Sequence, residues 1–328
     1  MKNIVVIGGG TGVFTVLSGL KHNPLYKLSA VVSMADDGGS TGQLREEFGV
    51  LPAGDIRRAL IALSGSDKKI MSELFNFRFE NGKTLAGHSL GNLLLMALEK
   101  ITGNFQKGLK EAVNILNVDG EVIPVTLEST RLYAELENGE VIKGESNIDV
   151  PKHDGNMRIV KIYLKPEVNP NSDAIRAIRL ADAIVLGPGD LYTSVLPNLS
   201  VKGITEAIKA SKAKKIYVVN IMTKFGETNG YKASDFLNAV EKYLGSNVLD
   251  YCIVNTQKPT GNVLKRYLLE HDKIVEYDRQ SMKGKKVKII EGRYLRRGQF
   301  LRHDPDKLAK TITSILDGEA KDVPLMVA

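Results

Sequence analysis

The chain has 328 residues, 43% of them hydrophobic and 25% charged, with a net charge of +7, an ordinary globular composition long enough for a large buried core. No apolar run approaches the roughly 18 residues of a membrane span, and a core strand begins by residue 4 in place of a signal peptide, so the expected location is cytoplasmic. The single Cys252, inside the run YCIV, excludes an internal disulfide and reads as a small buried hydrophobe.

The first stretch, KNIVVIGGGTG, runs four apolar β-formers (Ile4 to Ile7) into Gly8, Gly9, Gly10, Thr11 and Gly12, after which Val13, Phe14, Val16, Leu17 and Leu20 recur at helical spacing. That is strand, glycine turn, helix. Such a turn lets backbone amides and a helix N-terminus face a phosphate. The glycine spacing is not a clean GxGxxG, so the turn reads as a phosphate-binding loop and not specifically as a dinucleotide fingerprint. LSAVVSM predicts a second buried strand ending at Asp36-Asp37-Gly38-Gly39-Ser40-Thr41-Gly42. Two carboxylates there, at the carboxyl edge of a parallel sheet, suit a ribose hydroxyl or a divalent cation such as Mg²⁺. The blander alternative is that one of them caps the next turn.

Gly54-Asp55 precede a helical pattern of Ile56, Leu60, Ile61 and Leu63, which puts Asp55 at the expected N-cap. Arg57 and Arg58 fall in that helix's first turn, where the macrodipole disfavours cations, which calls for an anionic partner for at least one of them. Another helix follows Gly87-His88-Ser89-Leu90-Gly91-Asn92, with His88 and Asn92 four residues apart on one face. From 118 to 166 the texture changes to short alternating strands, EVIPVTL, RLYAELENG, EVIKGE and MRIVKIYLKP, with an Asn138-Gly139 turn, which predicts an antiparallel β insert. The alternation of helix and strand then resumes. Two apolar strands end in the loops Gly187-Pro188-Gly189 with Thr193-Ser194, and Asn220, Thr223, Glu227-Thr228; in a doubly wound sheet these converge with the first glycine turn on one crevice.

The last part, 258–328, is basic: Lys258 to Lys310 holds 15 Lys and Arg against 7 Asp and Glu. Its densest stretch, Lys283 to Arg302, suits a phosphorylated small molecule, an anionic membrane surface or nucleic acid, the last ranked lowest because only Tyr294 and Phe300 are available for stacking. After the strand YCIVN the pattern predicts a helix over Val263–Leu269, strands KIVEYD and KVKII, and a final helix capped by Asp304-Pro305. No tandem repeat, zinc-type Cys/His spacing, GxSxG or GxxxxGK[ST] occurs.

The ordered set GGGTG, ADDGGSTGQLR, PAGDIRRAL, GHSLGNLLL, GPGDLYTSVLPNL and NIMTKFGETNGY resembles the bacterial gluconeogenesis factor family, relatives of the 2-phospho-L-lactate transferase of deazaflavin coenzyme synthesis, over nearly the whole chain. The resemblance implies a single α/β domain over 1–328, a Rossmann-like three-layer sandwich with a mostly parallel sheet, that binds a UDP-sugar such as UDP-N-acetylglucosamine. It also implies a role in cell shape and wall synthesis on gluconeogenic carbon sources, with cell-wall-synthesis regulators and further copies of the chain as partners. The nucleotide site it points to uses Gly8–Gly12, Asp36 or Asp37, Gly187–Gly189 and Asn220–Thr228, with Tyr267 and Arg302 on the sugar nucleotide; Ser40, His88 and Asn92 complete the candidate set. The transferase relatives hold their acceptor alcohol near the segment matching Asp55, the catalytic candidate if the protein is an enzyme. Where they carry an acidic loop this chain has Gly87-His88-Ser89, which counts against a deazaflavin acceptor.

Overall fold

The structure, a computed structural model, describes residues 1–65, 69–259, 261–296 and 298–319. Its centre is β1 (Lys2–Gly8), whose Ile4 to Ile7 are at most 1% exposed. A continuous apolar run of this kind suits a parallel strand covered on both faces. The chain leaves it through α1 (Gly10–Leu20), β2 (Tyr26–Val32), α2 (Gly39–Phe48), α3 (Gly54–Leu63), α4 (Lys69–Asn76), α5 (Leu90–Thr102) and α6 (Phe105–Leu116) to reach β3 (Glu121–Pro124). β4 (Arg131–Leu136), β5 (Val141–Lys143), α7 (Glu145–Asp149) and β6 (Ile159–Lys165) make the insert. The return runs through α8 (Ser172–Leu180), β7 (Ala183–Leu186), a π-helical turn at Leu191–Val195, α9 (Leu196–Leu199), α10 (Ile204–Ala210), β8 (Lys214–Val218), α11 (Ala233–Leu244) and β9 (Tyr251–Asn255). It ends in α12 (Asn262–Leu269), α13 (Arg279–Met282), β10 (Lys288–Gly292) and α14 (Pro305–Asp317).

Seven strands pair in the order β10-β9-β8-β7-β1-β2-β3, all parallel, and β5-β4-β6 form a separate antiparallel sheet. The fold class is therefore the expected one, a mostly parallel α/β sheet with a small antiparallel sheet. α1 packs on β1 and β2 and touches α3 and α14, while α8 and α9 reach β1 with α10 and α11 beside them. β2 and β3 lie on one side of β1, and β7 to β10 on the other. The direction of winding reverses between β1 and β7, and the loops leaving those two strands open a crevice at the carboxyl edge.

Three expectations need correction. EVIPVTL does not belong to the insert: Glu121–Pro124 pairs parallel with β2 as the edge of the main sheet, so the antiparallel sheet begins at Arg131. KIVEYD forms no strand; only Ile274 bridges Met222, because the segment packs along the loop after β8. Asp55 is not the N-cap of α3, since Ala53 holds that position and no side chain caps the helix. Asp304 does cap α14, accepting from the amides of Asp306 and Lys307 with Pro305 in the first turn. Of the basic C-terminal portion, residues 260, 297 and 320–328 lie outside the described residues.

Candidate functional site

Close backbone packing builds the crevice. A β-carbon on Gly12 would fall 1.8 Å from the Pro188 carbonyl oxygen, so only glycine lets α1 lie against the turn that follows β7. Gly189 donates its amide to Asn220 Oδ1 at 3.2 Å, which ties in the loop after β8. Asn198 Nδ2 holds the Gly8 carbonyl at 3.2 Å from behind. Three of the predicted loops thus meet as expected.

The glycine turn does not present a free helix N-terminus. The Gly10 N–H donates to Asp55 Oδ1 at 2.9 Å, and Arg58 Nη1 meets the same oxygen at 3.1 Å. A side chain at Gly9 would collide with Asp55 Oδ2 at 2.3 Å. A carboxylate of the chain itself therefore sits where a phosphate was expected, favoured by the α1 dipole and by one guanidinium. Burial pushes the Asp55 carboxyl up to about 6, against the pull of Arg58 and with the charge of Asp36 adding to the rise.

Asp36 and Asp37 part company. Asp36 Oδ1 accepts from Gly38 N–H at 3.0 Å, and its other oxygen lies against Gly54, where a β-carbon would come within 2.4 Å. Burial raises its pKa. Asp37 instead accepts from Ser146 N–H at 2.9 Å and pairs with Arg131 at 3.3 Å, tying the insert to the main sheet. The two are thus tied to different segments, Asp36 to its own turn and Asp37 to the insert. The group of carboxylates that could hold a metal among the described residues is Asp149, Asp190 and Glu227, whose oxygens all lie within 4.8 Å of one another.

Glu227 takes the amide of Tyr192 and the hydroxyl of Thr193, both at 3.0 Å, and so anchors the π-helical turn. Lys224 Nζ is 3.2 Å from Asp149. Burial works against the charge on Lys224, but Asp190, Asp149 and Glu227 outweigh it and raise its pKa. Burial raises Asp190 and Glu227 as well. Glu145 is pushed up to about 9 by burial and then by Asp36, Asp149 and Asp55. On this side of the crevice Lys224 stands against several carboxylates, and the all-oxygen donor set of Asp149, Asp190 and Glu227 is the kind a hard divalent cation takes.

Ser40, His88 and Asn92 meet, but away from the cavity. Ser40 Oγ lies 3.1 Å from His88 Nδ1 and accepts from Asn92 Nδ2 at 3.3 Å, while Asn92 Oδ1 accepts from Arg57 Nε at 3.1 Å. Arg57 spends its remaining reach on the Phe75 carbonyl at 3.2 Å and Asn76 Oδ1 at 2.9 Å. Its own partners are neutral oxygens, so the anionic partner expected of at least one of the two arginines is the Asp55 carboxylate on Arg58; burial, with Arg58 nearby, lowers the Arg57 pKa to about 10. Thr223 and Thr228 accept the amides of Lys273 and Lys224 on their hydroxyl oxygens, so they shape the loop.

The cavity itself, about 310 Å³, is lined by Thr11, Gly12, Thr15, Pro188, Gly189, Asp190, Asn220 to Lys224, Tyr267, Glu270, Asp272 and Leu301 to His303. Of the predicted residues it gathers Thr11, Gly12, Pro188, Gly189, Asn220, Thr223, Tyr267 and Arg302. Gly8, Gly9, Gly10, Asp36, Asp37, Ser40, His88, Asn92, Gly187, Glu227 and Thr228 do not line it. Sequence reasoning missed Asp190, Asp272 and His303, and with them Glu145, Asp149 and the pairing of Asp55 with Arg58; Lys224 fell inside the expected Asn220–Thr228 loop without being singled out. Asp190 and Lys224 stood inside quoted motifs, directly after GPG and directly after Thr223, where position in the motif was the available signal. Arg302 lays its guanidinium over Phe300, 4.7 Å from the ring centre, and Tyr267 receives the Leu301 amide on its hydroxyl at 3.3 Å.

A fully parallel seven-stranded sheet with an acid-lined crevice at its switch point defines a doubly wound α/β protein whose polar loops gather at one edge. The chain belongs to the family of 2-phospho-L-lactate transferase CofD, whose model matches residues 4–295. A gluconeogenesis factor of Halalkalibacterium halodurans is 44% identical over 322 residues, 98% of this chain and 97% of its own length. The gluconeogenesis factor of Bacillus subtilis is 40% identical over 315 residues, 95% of this chain and 98% of its own. The crystal structure of a UPF0052 family member from Bacillus halodurans superposes with a TM-score of 0.90 at 43% identity, covering 95% of this chain and all of that one. Among the described residues no helix is long and apolar enough to cross a membrane.

Proposed function

We propose that the chain is a cytoplasmic regulatory protein that binds a nucleotide sugar of the UDP-N-acetylglucosamine type, acting as a gluconeogenesis factor in cell-shape control and wall synthesis. The observation that carries this reading is the cavity in which Tyr267 and Arg302, on the C-terminal portion, share the wall with Thr11, Gly12, Pro188 and Gly189 at the switch point. Because Asp55 occupies the Gly10 amide, the diphosphate falls to Arg302, Lys224 and the polar groups of Thr11 and Asn220, and the Tyr267 ring takes a planar group. Regulation by binding needs no turnover, and the partners that read the signal are cell-wall-synthesis regulators.

The test is calorimetry and thermal shift with UDP-N-acetylglucosamine, GDP and NAD. Ligand at about 100 times its dissociation constant adds roughly 2.7 kcal/mol of stability. Arg302→Ala should remove about 1.5–3 kcal/mol of binding, the usual worth of a hydrogen bond to a charged group. If none of the three nucleotides shifts the transition, the reading fails.

A second reading, transfer of a phosphate-linked group from a nucleotide donor to an alcohol, is favoured by the Asp149, Asp190 and Glu227 donor set and by Asp55, whose raised pKa suits a proton acceptor near neutrality. These three residues would hold Mg²⁺, which supplies electrostatic stabilisation of the transferred group. Release of phosphate-containing product by the wild type, lost in Asp55→Asn, would favour the enzyme over the regulator.

A further inference from the structure

Asp272 is 8% exposed and lines the cavity with Tyr267 and Arg302. Its backbone is held in place, the Asp272 N–H donating to the Tyr267 carbonyl at 3.0 Å. The side chain is held at one oxygen only. Oδ1 accepts from the Phe225 N–H at 2.7 Å, while Oδ2 takes no hydrogen bond or ion pair from any described residue. Oδ2 is nevertheless not among the sealed, unpartnered polar atoms of the described chain, so it keeps accessible surface on a residue that lines the cavity. A carboxylate oxygen fixed in this way and left unpaired is costly, and a donor on whatever fills the cavity removes the cost.

The surroundings say what kind of donor comes here. An anion has nothing to give this oxygen. The oxygens grouped closely enough for a metal ion are those of Asp149, Asp190 and Glu227, and Asp272 stands outside that group. Burial raises the Asp272 pKa, and the Phe225 amide and the charge of Lys224 pull the other way, so a cation of the chain itself already serves this carboxyl. What is missing is a neutral donor. The same wall holds Thr11 and Asn220, whose Oδ1 takes the Gly189 amide while its Nδ2 has no partner among the described residues. A wall that offers a free carboxylate oxygen, a free amide N–H and a hydroxyl suits a group that both donates and accepts, and a hydroxyl is such a group.

We propose that Asp272 Oδ2 accepts a sugar-ring hydroxyl of the bound nucleotide sugar. The inference rests on the nucleotide-sugar reading above and adds which part of the ligand meets the carboxylate. Both rings of such a ligand, ribose and hexose, carry this chemistry. A hydroxyl donating to a carboxylate makes a charge-assisted bond, roughly twice as strong as a neutral one. One such contact separates a hydroxylated ligand from the form that lacks the hydroxyl by about tenfold or more.

The experiment is isothermal titration of the full chain, in EDTA, with UDP-N-acetylglucosamine, UDP and 2′,3′-dideoxy-UDP, using wild type and Asp272→Asn. Asparagine keeps the Oδ1 acceptor for Phe225 and puts an NH₂ group in place of Oδ2, so the loop anchor survives. Loss of a negative charge favours all three diphosphates alike, so the readout is the step between ligands and not the absolute affinity. Wild type should show one step of at least about tenfold, UDP-N-acetylglucosamine over UDP if the hydroxyl is the hexose's, UDP over its dideoxy form if it is the ribose's. Asp272→Asn should shrink that step by at least about threefold. Equal affinity of wild type for all three ligands, or a step undiminished in Asp272→Asn, overturns the assignment while leaving nucleotide binding intact. If Asp272→Asn does not fold, Asp272→Ser, whose shorter side chain leaves the place of Oδ2 empty, decides by the same step. Wild type that binds none of the three overturns the nucleotide-sugar reading, and this inference with it.

Discussion

At Gly12 a β-carbon would meet the Pro188 carbonyl carbon at 2.4 Å as well as its oxygen, whereas at Gly10 the nearest neighbours are Ser194 Oγ at 3.6 Å and Arg58 Nη1 at 3.7 Å. The two glycines are therefore needed for different reasons. Gly10 has φ +62°, so alanine there is strained by about 1–2 kcal/mol but has room. Gly12→Ala must push α1 off the Gly187–Gly189 turn, and should cost at least about 3 kcal/mol, in the range of severe overpacking. Urea denaturation of the two variants checks this, and equal losses would show that the turn is not held by that approach. At Asp55 the same scale gives a pH-dependent prediction. Its pKa rises from the ordinary 3.8 to about 6 in the folded protein, so the native state holds the proton more tightly than the unfolded chain. Stability linked to this group is fully present below about pH 4 and is lost as pH rises through 6. Asp55→Asn keeps the acceptor for Gly10 and removes the ionisation, so it should stabilise the protein at pH 8 by about 1–3 kcal/mol and change little at pH 4. A destabilised Asp55→Asn at pH 8 would show instead that Arg58 needs the charge.

Between α2, α3 and α5 the decisive element-scale feature is a buried polar chain running from Arg57 through Asn92 to Ser40 and His88. Each of these four is under 9% exposed, so none can fall back on water. Asn92→Leu would leave the buried Arg57 Nε without its partner and take one of its donors from Ser40 Oγ, and should cost about 2–4 kcal/mol; Ser40→Ala, which takes no partner from Arg57, should cost less. Thermal denaturation orders the pair, and a larger loss in Ser40→Ala would move the weight of the network to His88. The sequence hinted at this chain in the i, i+4 spacing of His88 and Asn92, but nothing in one dimension placed Arg57 against them. β1, α1, β2, α12 and the α14 cap were legible because apolar period and capping chemistry are local. β3 was misplaced because alternation says that a segment is a strand and not which strand it pairs with. KIVEYD failed for a related reason: Val275 and Lys273 bond to Ile221 and Thr223 across a loop, which satisfies the same alternation without a ladder. The acidic donor set was illegible because Asp149, Asp190 and Glu227 come from three separate segments, and only the junction of α7, the π-helical turn and the loop after β8 brings them together.

On the scale of the whole molecule, the insert and the main sheet meet across carboxylates. Glu145 and Asp149 come from α7, Asp36 and Asp55 from the segments after β2, Asp190 and Glu227 from those after β7 and β8, and against them stand Arg58 and Lys224. Burial raises Asp36, Asp55, Glu145, Asp190 and Glu227 alike, with Asp55 at about 6 and Glu145 at about 9. Each binds its proton more tightly folded than unfolded, so every one of them contributes stability at low pH that is lost as pH rises through its folded value. Carboxyls lowered by hydrogen bonds, such as Asp278 with Ser234, work the other way, but their window lies below the ordinary carboxylate value. The cation-free protein should therefore be most stable near pH 4–6, and its melting temperature should fall steadily from pH 6 to pH 9. A divalent cation at millimolar concentration replaces the missing protons, so Mg²⁺ or Ca²⁺ should raise the melting temperature at pH 8.5 and do little at pH 5. Asp190→Asn should blunt the cation effect and flatten the pH profile together, because one donor serves both. The measurement is a melting series over pH with and without Mg²⁺ and with Ca²⁺ as the second ion. A flat profile would mean that the hollow fills with water and ionises freely, and a cation effect undiminished in Asp190→Asn would place the ion elsewhere on the chain.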